Sequence, residues 1–234
     1  PEHYAALRLI HLHLNTLGFV GITAIGTLQV LLPTAAGRPD PQAGPRLQRD
    51  LPWAVGGTLL IALGAAGPIA LAYVGLALYL VPLARLGWCW WSILRPQILR
   101  SDGAAPSLAL AAAGLLLLCI GGGAHGLGWL SGRDAIPAFL AAFLLPLVSG
   151  AATQLLPIWL RPGAQTNWHH ELRRGLGRWS ALRAGLMLAG GTLLALGIAG
   201  GAWVSAAGFA LLLAAASGAL SRCQDPGRSD GGSK

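Results

Sequence analysis

His11-Leu-His13-Leu-Asn15-Thr-Leu-Gly18-Phe-Val-Gly21-Ile-Thr-Ala-Ile-Gly26-Thr-Leu-Gln-Val-Leu-Leu-Pro33 is the stretch whose reading decides the fold. It is apolar over a length that crosses a bilayer as a helix, which takes roughly 20 residues. It also carries two imidazoles in its first third. An imidazole in a bilayer is costly and needs a partner that repays the cost: a metal, a heme iron or a fixed hydrogen bond.

Working outward, the rest of the chain has the same character. Of 234 residues, 54% are hydrophobic and 10% are charged, against about 25% charged in a soluble domain. The sequence predicts an all-α, polytopic membrane bundle of about seven transmembrane helices. The expected spans are about 6–32, 51–65, 68–91, 107–130, 136–160, 180–198 and 202–220, with the second open to an earlier start. They form a single transmembrane domain over residues 1–221. Residues 222–234, rich in Gly, Ser and Asp, read as a flexible cytoplasmic tail. Spans one, three and five share an ending, at Pro33, Pro82 and Pro157, which reads as helix termination.

The net charge of +8 comes from fifteen arginines and one lysine. Fourteen of these sixteen fall in alternate loops and the C-terminal tail. Only Arg8 and Arg133 fall on the other side. The bias in Lys and Arg sets orientation, so the basic loops are expected in the cytoplasm, the N-terminus outside and the C-terminus inside. Topology, not nucleic-acid binding, accounts for the charge. The expected location is a bacterial inner (cytoplasmic) membrane. The tryptophans near span ends, Trp88, Trp90 and Trp91 among them, read as an interfacial belt. Gly185, Gly190, Gly191, Ala206 and Gly208 read as close helix packing or homo-oligomer formation. Cys89, Cys119 and Cys223 have no spacing that suggests a disulfide framework or a thiolate metal site.

The acidic residues Glu2, Asp40, Asp50, Asp102, Asp134, Glu171, Asp225 and Asp230 all fall in expected loops or tails. That counts against a proton- or ion-coupled transporter, which relies on carboxylates within its spans. The histidines are more informative. His11 and His125 each lie about five residues inside the outer end of their span, roughly 8 Å deep at 1.5 Å per residue. Two helices thus present imidazole at matching depth, a geometry for a ligand shared within a bundle. Residues two apart on a helix point about 200° from each other, so His11 and His13 serve different faces. His11 shares its face with Arg8, Asn15, Gly18 and Gln29. Gly18 would give room for a bulky polar cofactor, and Arg8 and Asn15 would supply hydrogen bonds or pair with propionates. His13 shares its face with Leu17, Val20 and Ala24. His169 and His170 read as a solvated loop pair on the cytoplasmic side. Arg161, Arg173 and Arg174 read as topology determinants and headgroup contacts.

With these residues in view, the segment from about Arg8 to Pro33 resembles the tenth helix of the catalytic subunit of heme-copper oxygen reductases, most of all the branch that includes nitric oxide reductases. The likeness rests on His11-x-His13 followed by Leu17-Gly18-Phe19-Val20-Gly21, Ala24-Ile25-Gly26 and Leu31-Leu32-Pro33. A similar segment occurs in membrane modules attached to copper nitrite-reductase-like proteins. The resemblance implies that the first histidine ligates a high-spin heme and the second a low-spin heme, so that His11 and His13 become candidate heme ligands. The family's further copper-binding histidines have no counterpart here, and a heme–copper binuclear site is not implied.

Three functions follow as expectations. The first is a membrane protein with one or two hemes b. It would transfer electrons, with a redox partner protein or quinol, or bind a small gas such as nitric oxide or oxygen near the outer face. Here His13 and His125 could form a bis-histidine pair, whereas His11 alone would leave a sixth position open. The second is a copper-handling protein with His3, His11, His13 and His125 as an outward imidazole site. The third is a cofactor-free membrane anchor or assembly subunit.

Overall fold

The computed structural model describes residues 2–224. Among them every regular element is helical. Helix α1 spans residues 2–35. It begins as Glu2–His13, widens into π-helix over Leu14–Ile22, and resumes as Thr23–Ala35. The others are α2 (Ala43–Ala66), α3 (Ile69–Ile98), α4 (Ala104–Gly126), α5 (Ala135–Leu160), α6 (Asn167–Leu176), α7 (Ser180–Ala195) and α8 (Gly201–Gln224). Helices α1, α3, α4, α5 and α8 are long and apolar enough to cross a membrane. The seven expected spans correspond to α1–α5, α7 and α8. Their ends differ: α2 starts eight residues before the expected Leu51, and α4 stops at Gly126, where Leu130 was expected.

The third span runs past its expected end near Trp91, and the proline it shares with spans one and five does not terminate it. Pro82 lies inside α3, which runs on to Ile98. A membrane helix tolerates proline because neighbouring helices re-satisfy the freed carbonyl, and Pro82 is buried against such neighbours. The expected tail boundary also shifts, since α8 continues through Gln224. Arg228, Lys234, Asp225, Asp230 and the rest of the expected tail lie outside the described residues.

Helix α4 is the hub. One side meets α3 and the lower half of α1, and the other meets α5 and α7. Its buried face is Leu108, Ala111, Leu115 and Cys119. Two hairpins flank it, α2–α3 and α7–α8. Gly67-Pro68 turns the first, and glycine lets its helices touch: a Cβ on Gly57 would lie 2.7 Å from the Gly75 carbonyl oxygen. In the second, a Cβ on Gly208 would lie 2.7 Å from the Arg183 carbonyl oxygen. Close approach through small residues is how helices associate where no hydrophobic drive separates protein from lipid.

The large apolar side chains facing outward, such as Phe19, Trp88, Trp129, Trp159 and Trp203, form the surface that lipid would cover. Trp90 departs from the expected belt. It is buried among α3, α4 and α1 core residues. The twelve described basic residues of the expected cytoplasmic set gather toward one end of the bundle, and Arg8 and Arg133 lie at the other. We call these the basic end and the histidine end.

Candidate functional site

At the histidine end, His13 is half-buried on the last turn before the π-helical stretch. Its Nδ1 lies 2.8 Å from the Leu9 carbonyl oxygen. A carbonyl only accepts, so Nδ1 carries the proton and the Nε2 lone pair is left free. His125, exposed on the last turn of α4, repeats the arrangement. Its Nδ1 lies 2.7 Å from the Leu130 carbonyl oxygen, which again leaves Nε2 as the acceptor. Gly132 packs over the face of this ring, where a Cβ would lie 2.8 Å from Cε1, 3.0 Å from Nε2 and 3.2 Å from Nδ1. Fixing one ring nitrogen on a carbonyl while the other stays free is the arrangement that prepares an imidazole for iron or another metal.

The other residues expected around them are placed differently from one another. His11 and Asn15 are exposed and adjacent: the Asn15 amide donates to the His11 carbonyl oxygen at 2.8 Å and lies 3.3 Å from both ring nitrogens. Arg8 is exposed one turn earlier. Gly18 is half-buried against α2, where a Cβ would lie 3.2 Å from the Thr58 methyl, so its missing side chain serves helix approach. Gln29 is fully buried in the core. The expected stripe of His11, Asn15, Gly18 and Gln29 is therefore broken up. The reason is the π-helical stretch, whose i→i+5 bonding displaces faces drawn at 3.6 residues per turn.

The two elements that carry the depth-matched histidines pack mainly on different helices. The Glu2–His13 segment packs on α2. The end of α4 packs on α3, where the Tyr73 hydroxyl donates to the Gly123 carbonyl oxygen at 3.2 Å. Among the described residues, no three His, Cys, Asp or Glu side chains come together in a way that could hold a bare metal ion.

Three features escaped the sequence reading. His169 is not a solvated loop residue. It is 3% exposed, on the inner face of the amphipathic α6. Its Nδ1 accepts from the Thr166 backbone N–H at 3.1 Å, so Nε2 carries the proton and donates to the Arg161 carbonyl oxygen at 2.8 Å. Its valences are filled within the protein, and its role is to cap and seat α6. His170 is exposed, as expected.

Asp50, expected in a loop, is buried on α2. It binds Arg49 Nε and Arg85 Nη1, each at 2.9 Å. Arg183, expected among the loop arginines, is fully buried on α7. It donates to the Arg178 carbonyl oxygen at 3.0 Å and the Thr153 hydroxyl at 3.3 Å. Helix α6 starts on Thr166, a residue type favoured at the N-cap, and His169 takes the place that Glu or Gln holds in a capping box. Nothing local marked Asp50 or Arg183 as buried.

These features define a multi-helix bundle with a membrane-type surface, histidines at one end and basic residues at the other. Comparison with protein-family models, with curated proteins and with solved structures finds no match to this chain.

Proposed function

We infer that the chain is an integral membrane heme b protein in which Nε2 of His13 and Nε2 of His125 are the ligating atoms. The observation that carries this is the shared tautomer: both imidazoles spend Nδ1–H on a backbone carbonyl and keep the Nε2 lone pair free. A porphyrin supplies four ligands of its own, so one or two imidazoles suffice, whereas a bare copper ion would need a denser donor set. The scattered histidines therefore suit heme better than copper. The π-helical stretch beside His13 supports the reading, since such irregularities collect at functional sites.

His11, Asn15 and Arg8 lie on the same end and are exposed, which suits them to contact polar propionates. With both axial positions filled a heme carries electrons, and with one open it binds a small gas such as nitric oxide or oxygen. The basic end faces the cytoplasm on the positive-inside rule, which puts the histidines toward the outside of a bacterial inner membrane.

The test is a reduced-minus-oxidised visible spectrum of detergent-purified protein from heme-supplemented cells, with pyridine hemochrome and metal analysis on the same sample. A Soret band with alpha bands is expected, lost or shifted in His13→Ala and in His125→Ala. A colourless, iron-free protein overturns the inference. So does a spectrum that both substitutions leave unchanged, or bound copper without iron.

A further inference from the structure

A groove of about 480 Å³ opens toward the basic end, between the second half of α3, the first half of α4 and the lower part of α1. It contains none of the candidate heme ligands. Leu28 and Leu86 form its walls, and the small side chains Ala109 and Ala113 keep its floor low. Ligand sites typically run from about 300 to 1,000 Å³, so this space holds a sizeable molecule.

Two polar features interrupt the apolar lining. Arg100 stands at the end where α3 gives way to the α3–α4 loop, and it forms no ion pair among the described residues. Trp90 lines the wall. It is 4% exposed, and its indole N–H has no hydrogen-bond partner. A buried donor without an acceptor is costly, and an occupant bearing an acceptor would remove that cost. Beside the mouth, the Arg95 guanidinium lies 4.9 Å from the centre of the exposed Trp91 ring. An aromatic ring with a cation over it marks the headgroup level of a bilayer.

We propose that this groove is a binding site for one anionic phospholipid, with an acyl chain along the α3–α4 floor and the headgroup phosphate on Arg100. Charge complementarity selects the ligand: the mouth is basic, and basic pockets between membrane helices take anionic headgroups. An ester carbonyl of the same lipid would accept from the Trp90 N–H. An uncharged isoprenoid quinone would fill the apolar length but leave Arg100 without a counter-charge.

The test is native mass spectrometry of the full chain in detergent with equimolar phosphatidylglycerol and phosphatidylcholine. The expected result is at least a fivefold excess of retained phosphatidylglycerol. Arg100→Gln should bring the ratio near one, and Arg133→Gln, at the opposite end, should leave it unchanged.

Gly87→Leu is the filling variant. Gly87 lines the groove, and a Cβ there meets nothing within 4 Å, so the change fills the groove without a backbone clash and favours the helix. It should abolish retention of both lipids while the circular dichroism spectrum stays that of the parent. Equal retention of the two lipids by the parent protein, full retention by a folded Gly87→Leu, or a quinone retained in place of phospholipid would overturn the assignment. None of these readouts depends on heme.

Discussion

Alanine at Gly21 should destabilise the protein, and removing one oxygen atom from Tyr79 should largely restore it. Gly21 is buried at the end of the π-helical stretch of α1. Tyr79, on α3, is fully buried, and its hydroxyl donates to the Leu17 carbonyl oxygen at 3.0 Å. A Cβ on Gly21 would fall inside van der Waals contact with that hydroxyl. Gly21→Ala alone must displace the ring, at an overpacking cost of about 1–3 kcal/mol. It also loses the hydrogen bond, worth roughly 0.5–1.5 kcal/mol, and is offset by up to about 1 kcal/mol of helix propensity. Tyr79→Phe alone loses only the hydrogen bond. With the hydroxyl gone, the nearest remaining neighbours of the new methyl are the Thr16 carbonyl oxygen at 3.2 Å and the ring Cζ at 3.6 Å. The former gives by a few tenths of an ångström, and the latter is ordinary contact. The hydrogen bond is lost in each single but only once in the double, so the double variant should be about 1.5–4.5 kcal/mol more stable than the sum of the singles predicts, the overpacking and hydrogen-bond costs together. Equilibrium unfolding in mixed detergent micelles, followed by circular dichroism, measures all four corners of the cycle. Effects that add to within about 0.5 kcal/mol would refute the placement of Tyr79 against Gly21, and with it the docking of α1 on α3.

Two further outcomes follow from buried polar contacts. Asp50→Asn removes the charge that Arg49 and Arg85 share and should lower the unfolding free energy by about 1–3 kcal/mol. That is less than the 3–5 kcal/mol for breaking a fully buried pair, because the Arg49 and Arg85 side chains are 58% and 42% exposed and stay solvated; a change under 0.3 kcal/mol in the same unfolding experiment would contradict the ion-pair geometry. His169→Ala leaves the Arg161 carbonyl and the Thr166 N–H without their partner, at a cost of roughly 1–3 kcal/mol. The loss should be local, so hydrogen exchange should quicken over residues 161–176 and stay unchanged in α4, and uniform quickening would argue against it.

The helices were legible from the sequence because a membrane span is a one-dimensional property: enough consecutive apolar residues, bounded by charge. That logic recovers α1, α3, α4, α5 and α8 directly. It stopped α3 near Trp91, seven residues short of Ile98, and it read Pro82 as a terminator although a proline ends a helix only where no neighbour accommodates it, and neighbours are not in a local window. It missed α6 for the opposite reason. Asn167–Leu176 is too polar to read as a span, and its helix depends on burying His169, Leu172 and Leu176 against α5 and α8.

The candidate site shows the same division. The residue types at His11, His13 and His125 could be read from spacing, but what each can do could not. His13 and His125 differ from His169 in that the backbone engages one ring nitrogen and not both, and that outcome depends on Leu9, Leu130, Arg161 and Thr166 as folded. The stripe drawn from His11 through Gly18 to Gln29 assumed one helical period throughout, and the π-helical stretch breaks it at Leu14. It sends Gly18 to α2 and Gln29 into the core, while His11 and Asn15 remain together at the surface. A helix that changes period within a bilayer leaves its ladder under-bonded, and here the Tyr79 hydroxyl reaches Leu17 within that stretch. The irregularity beneath His13 is therefore held in place by α3, so substitutions at Tyr79 should be felt at the histidine end of α1 as well as in overall stability.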